Sequence, residues 1–315
     1  MVSFYFSFSM LFIYNTYFTI KIQKNQTFYK RKQEINNPFR IYTCLKKGAI
    51  SLNQKQLSTI NKQSWNAAAY EAWTNRHGTP KEYAKKLLQD PAHEVSYYLP
   101  YIENIQEKRI INLLGSKGNK AVAFALLGAD VTVVDISESN AKYANELADA
   151  AGTSITYIVS DVLDISPSKT FDVVLLELGV LHYFLDLQPL FKLITGLLKD
   201  GGTFILRDYH PLYTKLVAID HEMFQANGNY FYEEIIEDNV AYSSLLDKTQ
   251  RDLLPKTKIR RWTLGEIITE IAKANLRIEE LIEERGPHQR WVFPSSAPEG
   301  IENRVPGLYT LIATT

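Results

Sequence analysis

IINLLGSKGNKAVAFALLGADVTVVD, residues Ile110 to Asp135, holds an apolar run, a short loop with Gly115 and Gly118, a helical pattern, the pair Gly128-Ala129 and a second apolar run ending on an acid. Strand, glycine loop, helix and strand in that order make half of an open parallel α/β sheet with an adenosine-type ligand at its carboxyl edge. A tight turn from strand to helix needs residues free of Cβ clashes, and so does close approach of a ligand; Gly115 and Gly118 can serve either need. The loop is not GxGxxG, and the GxxxxGK[ST] spacing of a phosphate-binding loop is absent, so pyrophosphate cofactors and nucleoside triphosphates lose ground.

The same beat continues on both sides. Strands are expected at Arg109–Leu114, Asp130–Asp135, Ile155–Ser160, Phe171–Leu176 and Gly202–Asp208, with helices between them at Lys120–Leu127, Ser139–Ala151 and Leu187–Leu198. These strands are near-continuous apolar runs, as expected when helices cover both faces of a sheet. Alternation of this kind predicts a doubly wound α/β fold. Helical patterns precede it at Ser64–Trp73 and Pro80–Leu88, and Glu94–Ile105 reads as loop with some helix. After Asp208 the rhythm breaks, and residues 209–262 are expected to form a lid-like insertion after the fifth strand. A helix over Leu264–Ala274, opened by a Thr263/Glu266 capping box, then leads to strands at Arg277–Glu283 and Leu308–Ala313.

Several residues fall at the carboxyl ends of the predicted strands. Asp135 ends the second strand, where a carboxylate can accept hydrogen bonds from both hydroxyls of an adenosine ribose; its competing role is to start the next helix with Ser137. Asp161 and Val162 follow the third strand, where the acid can bind an adenine amino group or simply be solvated. Glu177 closes the buried strand from Phe171, which emerges in Leu178-Gly179-Val180-Leu181-His182-Tyr183-Phe184.

Taken together, residues 110–208 resemble the class I S-adenosylmethionine-dependent methyltransferases. Asp135-Ile136-Ser137 is similar to their ribose-binding strand end, and Ser160-Asp161-Val162 to their adenine-contact turn. Phe171-Asp172-Val173-Val174 with Val180-Leu181-His182-Tyr183 resembles their fourth-strand motif, and Leu198-Lys199-Asp200-Gly201-Gly202 their LKPGG turn. The resemblance implies a Rossmann-like, mostly parallel seven-stranded sheet whose last strand runs antiparallel. It also implies S-adenosylmethionine as cofactor and Asn112, Gly115, Gly118, Asp135, Ile136, Asp161, Val162 and Glu177 as its contacts. One departure stands out. Alignment through Gly128-Ala129 and Asp135 puts Asn112 at the family's acidic position and Leu114, Ser116 and Gly118 at its three glycines, so the charge that attracts the methionine amino group is lost.

Methyl transfer from a sulfonium is an in-line displacement that needs alignment above all, and a base only where the acceptor must lose a proton. His210, His182 and Tyr183 are the candidates for that work; His210 is held extended by Pro211. Aromatic residues within 209–232 can line an apolar acceptor pocket. A metal is not expected, because His221-Glu222 lacks the second histidine of HExxH. Two other functions fit less well: a cofactor-binding protein on a degenerate methyltransferase fold, favoured by the altered glycine loop, and a nicotinamide-dependent oxidoreductase, disfavoured by the missing GxGxxG.

Composition narrows the partners. Apolar residues make up 45% and charged residues 22% of 315, the balance of a protein with a buried core, and the single Cys44 excludes internal disulfides and multi-thiolate zinc sites. The formal net charge of zero is uneven: residues 1–60 hold nine Lys and Arg and one acid, which leaves 61–315 at −8. A surface of that sign repels phosphate backbones, so a small molecule is expected as acceptor rather than nucleic acid. Residues 1–20 carry no charge but include three Ser, two Thr and one Asn, a weak membrane span. Residues 1–60 are therefore expected to be poorly structured or foreign to the natural product, residues 61–315 to form the domain, and the protein to be cytoplasmic.

Overall fold

The computed structural model describes residues 52–315 other than 169, 221, 222 and 226. The reading of residues 1–20 as an anchor or a disordered segment lies outside these residues. Seven strands form the main sheet: β1 (Arg109–Leu113), β2 (Asp130–Asp135), β3 (Thr156–Val159), β4 (Phe171–Glu177), β5 (Leu198–Tyr209), β10 (Arg277–Glu283) and β11 (Leu308–Thr314). Their order across the sheet is β10-β11-β5-β4-β1-β2-β3. β11 pairs antiparallel with both neighbours, and the pairings from β5 through β3 are all parallel. The expected seven-stranded sheet with its last strand reversed is thus present.

Period-two alternation splits each buried strand between two cores. One face packs Ile111, Leu113, Val174, Leu176, Phe204 and Leu206 under α6 (Gln188–Leu197) and α8 (Leu264–Lys273). The other packs Ile110, Val133, Val173, Leu175 and Ile205 under α4 (Asn119–Leu126) and Val95 of α3 (Pro91–Val95). Strand order reverses direction between β1 and β4, and at such a switch point the diverging loops leave a crevice at the carboxyl ends. α5 (Glu138–Ala151) joins β2 to β3; Ser137 caps it, accepting from the Asn140 N–H at 3.2 Å. The Thr263/Glu266 capping box on α8 is formed in both directions.

The amino-terminal boundary differs from expectation. α1 runs from Gln54 to His77, so residues 54–60, read with the N-terminal segment, belong to the fold. Its start was legible: Asn53 and Gln56 form a capping box. α1 bends at Ala68, and the cause is a side chain inserted into its hydrogen-bond ladder. The Tyr242 hydroxyl donates to Ser64 O at 2.6 Å and accepts from the Ala68 N–H at 3.0 Å, replacing the direct bond between them. α2 (Pro80–Leu87) follows, and it packs with α1 on α5 around Tyr83, Leu87, Tyr143 and Leu147.

Segment 210–262 is structured by two short antiparallel strand pairs, β6 (Ala218–Asp220) with β7 (Met223–Gln225) and β8 (Ile236–Asp238) with β9 (Thr257–Ile259), and by the single turn α7 (Lys248–Asp252) between β8 and β9. A second excursion, residues 284–307, separates β10 from β11, which therefore pair without a tight turn. It is tied down by a buried bidentate ion pair, Arg207 to Glu284 at 2.7 Å on both oxygens. Among the described residues no helix is long and apolar enough to cross a membrane.

Candidate active site

A cavity of about 1150 Å3, mouth included, lies over the carboxyl ends of β1, β2 and β4. Six of the eight expected cofactor contacts line it: Gly115, Asp135, Ile136, Asp161, Val162 and Glu177. Asn112 and Gly118 do not. Asn112 is fully buried beneath the loop, with Nδ2 donating to Leu175 O at 3.4 Å and Oδ1 unpartnered. A Cβ on Gly115 would come within 2.7 Å of that Oδ1, so this glycine serves close approach of the loop to β1. Gly118 caps α4, and a Cβ there would meet the Ala144 Cβ at 2.7 Å; it permits α4 to pack on α5.

The loop keeps a glycine-type backbone on residues that are not glycine. Leu114 and Ser116 have φ of +51° and +50°, and Gly118 +69°. Left-handed backbone costs a non-glycine residue about 1–2 kcal/mol. Here the surroundings over-determine it: the Ser116 N–H donates to Asp135 Oδ2 at 3.0 Å, and its carbonyl accepts from the Tyr157 hydroxyl at 2.7 Å. The Ser116 hydroxyl itself is buried without a partner.

Asp135 is buried, and burial raises its carboxyl pKa against the pull of its donors. Oδ1 accepts from the Ser137 N–H at 2.9 Å and from Asn140 Nδ2 at 3.2 Å, while Oδ2 accepts from Ser116. A carboxylate offers about four acceptor positions. With three taken, one is left free, where the expected ribose contact would use two. Asp161 lines the cavity and uses Oδ1 to cap the following 3-10 turn through the Leu163 N–H at 3.1 Å, which leaves Oδ2 out of that cap. Glu177 receives the Tyr98 hydroxyl at 2.6 Å on Oε2, with Lys120 Nζ 3.4 Å from the same oxygen.

The cavity has a roof that sequence reasoning missed. Gln54, Ser58, Asn61, Trp65 and Trp73 of α1 line it, whereas the insertion contributes Ala241 alone. The roof is therefore mostly α1. Gln54 pins that helix to the loop after β4, donating to Tyr183 O at 3.0 Å and accepting from the Leu185 N–H at 2.8 Å. Trp65 donates to the Tyr183 hydroxyl at 3.1 Å and packs against Trp73 and Tyr242.

The three expected catalytic residues separate. Tyr183 lines the cavity, and burial pushes its phenol well above its ordinary value, so it stays protonated. His182 lines a second cavity beside Asp208 and Arg261, and burial pushes its imidazole down to about 3. His210 lines neither. It is buried against Tyr309, Nδ1 accepts the Leu212 N–H at 3.1 Å, and Nε2 lies 3.0 Å from Glu283, so it orders the exit from β5. Asp208, from the same exit, holds the loop after β4 by accepting the Gly179 and Tyr209 N–H groups. Among the aromatics expected to line an acceptor pocket, Tyr209 and Tyr213 line cavities and Phe231 is exposed. No cluster of metal-ligating side chains occurs among the described residues.

Residues 114–206 match the sequence profile of a family described as "Methyltransferase domain". Ubiquinone biosynthesis O-methyltransferase of Rickettsia prowazekii is 26% identical over 161 residues, which cover 50% of this chain and 59% of that protein. The match thus spans about three fifths of that relative's length. Among solved structures, an S-adenosylmethionine-dependent methyltransferase of Listeria monocytogenes is 21% identical with a TM-score of 0.54, covering 71% of this chain and 97% of the other. One from Mesorhizobium loti is 23% identical with a TM-score of 0.52, covering 72% and 100%. These likenesses concern the fold, and the sheet order and switch-point cavity agree with it. Residues 114–206 thus match a methyltransferase domain, set in a fold shared with S-adenosylmethionine-dependent methyltransferases.

Proposed function

We propose that this chain transfers a methyl group from S-adenosylmethionine to a small-molecule acceptor. The observation that carries the reading is the convergence of Gly115, Asp135, Ile136, Asp161, Val162 and Glu177 on one cavity at the topological switch point. In this reading Ile136 and Val162 flank the adenine, Asp161 Oδ2 accepts its amino group, and Asp135 takes one ribose hydroxyl. Glu177 supplies the carboxylate for the methionine ammonium that the neutral Asn112 cannot supply from beneath the loop. The buried Ser116 hydroxyl finds its partner on the bound cofactor.

Held by Gly115, Asp135, Ile136, Asp161, Val162 and Glu177, S-adenosylmethionine would supply an electrophilic methyl group to an acceptor lone pair, the C–S electrons passing to sulfur and any acceptor proton to solvent. The protein contributes alignment and exclusion of water. Trp65 and Trp73 cover the cavity, and the loop 178–181, fixed by Asp208, sets the wall beside the reacting atoms. The Tyr183 phenol is held protonated and the His182 ring belongs to another cavity, so neither takes a proton at this site.

Thermal unfolding of the full chain with added ligands tests the assignment. S-adenosylmethionine and S-adenosylhomocysteine are expected to raise Tm, 5′-methylthioadenosine to do so less because it lacks the group that Glu177 meets, and NADH to leave it unchanged. Stabilisation by NADH alone would overturn the proposal in favour of the oxidoreductase reading.

A further inference from the structure

A groove of about 2070 Å3, solvent mouth included, opens beside the cofactor cavity and shares with it Trp73, Lys117, Asn119, Lys120, Leu178 and Ala241. Its far walls come from the end of α1, from α2 and α3, from Tyr209 at the β5 exit and from Trp291 in segment 284–307. Leu178, the residue after β4, stands where the two spaces meet.

The groove is cationic within an otherwise acidic domain. Arg76, Lys86, Lys117 and Lys120 face Asp90 and Glu94. Both acids are engaged: Asp90 caps α3 by accepting the His93 N–H at 3.0 Å, and Glu94 accepts from Asn119 at 2.5 Å with Lys120 at 3.7 Å. Among the described residues no carboxylate lies within ion-pair distance of Arg76, Lys86 or Lys117. Lys86 donates to a carbonyl, His77 O, at 3.2 Å, and Lys117 Nζ rests 4.6 Å from the centre of the Trp73 ring. Burial and then these cations push the neighbouring His77 imidazole down to about 3.

The groove is also aromatic. His77 stacks on Tyr83 with ring centres 4.5 Å apart, and Trp291 stands edge-on to Tyr209 at 6.2 Å. Trp291 is 55% exposed, an indole face left uncovered at the rim. Cations without a carboxylate partner beside the exposed Trp291 indole select a ligand that is planar and negatively charged, since guanidinium and ammonium groups bind carboxylates and aromatic faces stack. A polynucleotide needs a longer basic track than this local patch, and residues 61–315 carry net negative charge.

We propose that this groove is the acceptor site and that the acceptor is an aromatic acid, its ring against Tyr209 and Trp291 and its carboxylate on Arg76 and Lys117. The reacting atom then reaches the cofactor cavity past Leu178. The inference rests on the methyltransferase reading of the adjoining cavity.

The test is calorimetric titration of the full chain, first with S-adenosylhomocysteine and then, at saturation, with 6-hydroxy-2-naphthoate, 6-hydroxy-2-naphthamide and octanoate. The naphthoate is expected to bind at least tenfold tighter than the uncharged amide and than the non-aromatic acid. Arg76→Gln, at an exposed position that the fold does not need, is expected to weaken the naphthoate about fivefold and leave the amide unchanged. Equal binding of acid and amide, octanoate matching the naphthoate, or an Arg76→Gln variant that binds the naphthoate as wild type does would overturn the proposal while S-adenosylhomocysteine binding leaves the cofactor reading standing. Failure of S-adenosylhomocysteine to bind a folded chain overturns the acceptor role together with that reading.

Discussion

Replacing Ser116 by glycine should make the protein more stable and a weaker binder at once. Ser116 holds φ at +50°, where a non-glycine residue is strained by about 1–2 kcal/mol, while glycine costs about 0.5–1 kcal/mol in backbone entropy. The net gain from the backbone is about 0.5–1 kcal/mol. The Ser116 hydroxyl is buried without a partner, and its removal relieves roughly another 1 kcal/mol of desolvation. The sum, about 1.5–2 kcal/mol, corresponds to a rise in Tm of about 3–8 °C for a domain of this size. If that hydroxyl waits for the cofactor, S-adenosylhomocysteine should bind the variant about five- to tenfold more weakly, the worth of one hydrogen bond. Thermal unfolding and calorimetry on Ser116→Gly read both effects. An unchanged or lower Tm would refute the strain argument, and a stabler variant with undiminished affinity would refute the ligand role. Leu114→Gly is the control: it relieves similar strain at φ +51° but deletes a side chain packed on the core, so its Tm should fall.

Tyr242→Phe removes the hydroxyl that bends α1; it should cost about 1–3 kcal/mol in urea unfolding and speed amide exchange at Ala68. Glu284→Gln leaves the Arg207 guanidinium buried without its counter-charge and should cost about 3–5 kcal/mol, read as a lower urea midpoint at unchanged slope. The His182 imidazole is held near 3 by burial, below its unfolded value, so the stability it contributes is complete above pH 6.5 and lost as pH falls from there toward 3. Wild type should therefore lose up to about 1.4 kcal/mol more per pH unit than His182→Asn between pH 6 and 4.

The centre of the sheet was legible because buried parallel strands write themselves as apolar runs: β2 falls on the predicted bounds, and β1 and β4 within one residue. Asp135, Ile136, Asp161, Val162 and Glu177 were legible as residues of one cavity because strand ends at a switch point converge on a crevice. Asn112 failed because a strand residue one position from the loop lies under it, a matter of pleat rather than of chemistry. His210 failed because an extended backbone before proline places a residue without saying which way its ring is committed. The roof was missed because Asn53 and Gln56 lie at the edge of a basic stretch read as unstructured, although their spacing is that of a capping box. The conformation of Leu114 and Ser116 ran against their residue types; at Ser116 it is held by tertiary hydrogen bonds to Asp135 and from Tyr157.

Calorimetric titration of S-adenosylhomocysteine into the full chain, wild type beside Asp161→Asn, tests the account most directly. Asparagine keeps an acceptor for the Leu163 cap but turns a donor toward the adenine amino group. The account predicts one site per chain with micromolar affinity in the wild type and about tenfold weaker binding in the variant, a loss of roughly 1.4 kcal/mol. No heat of binding from a folded wild-type chain, or equal affinity in both proteins, would contradict it.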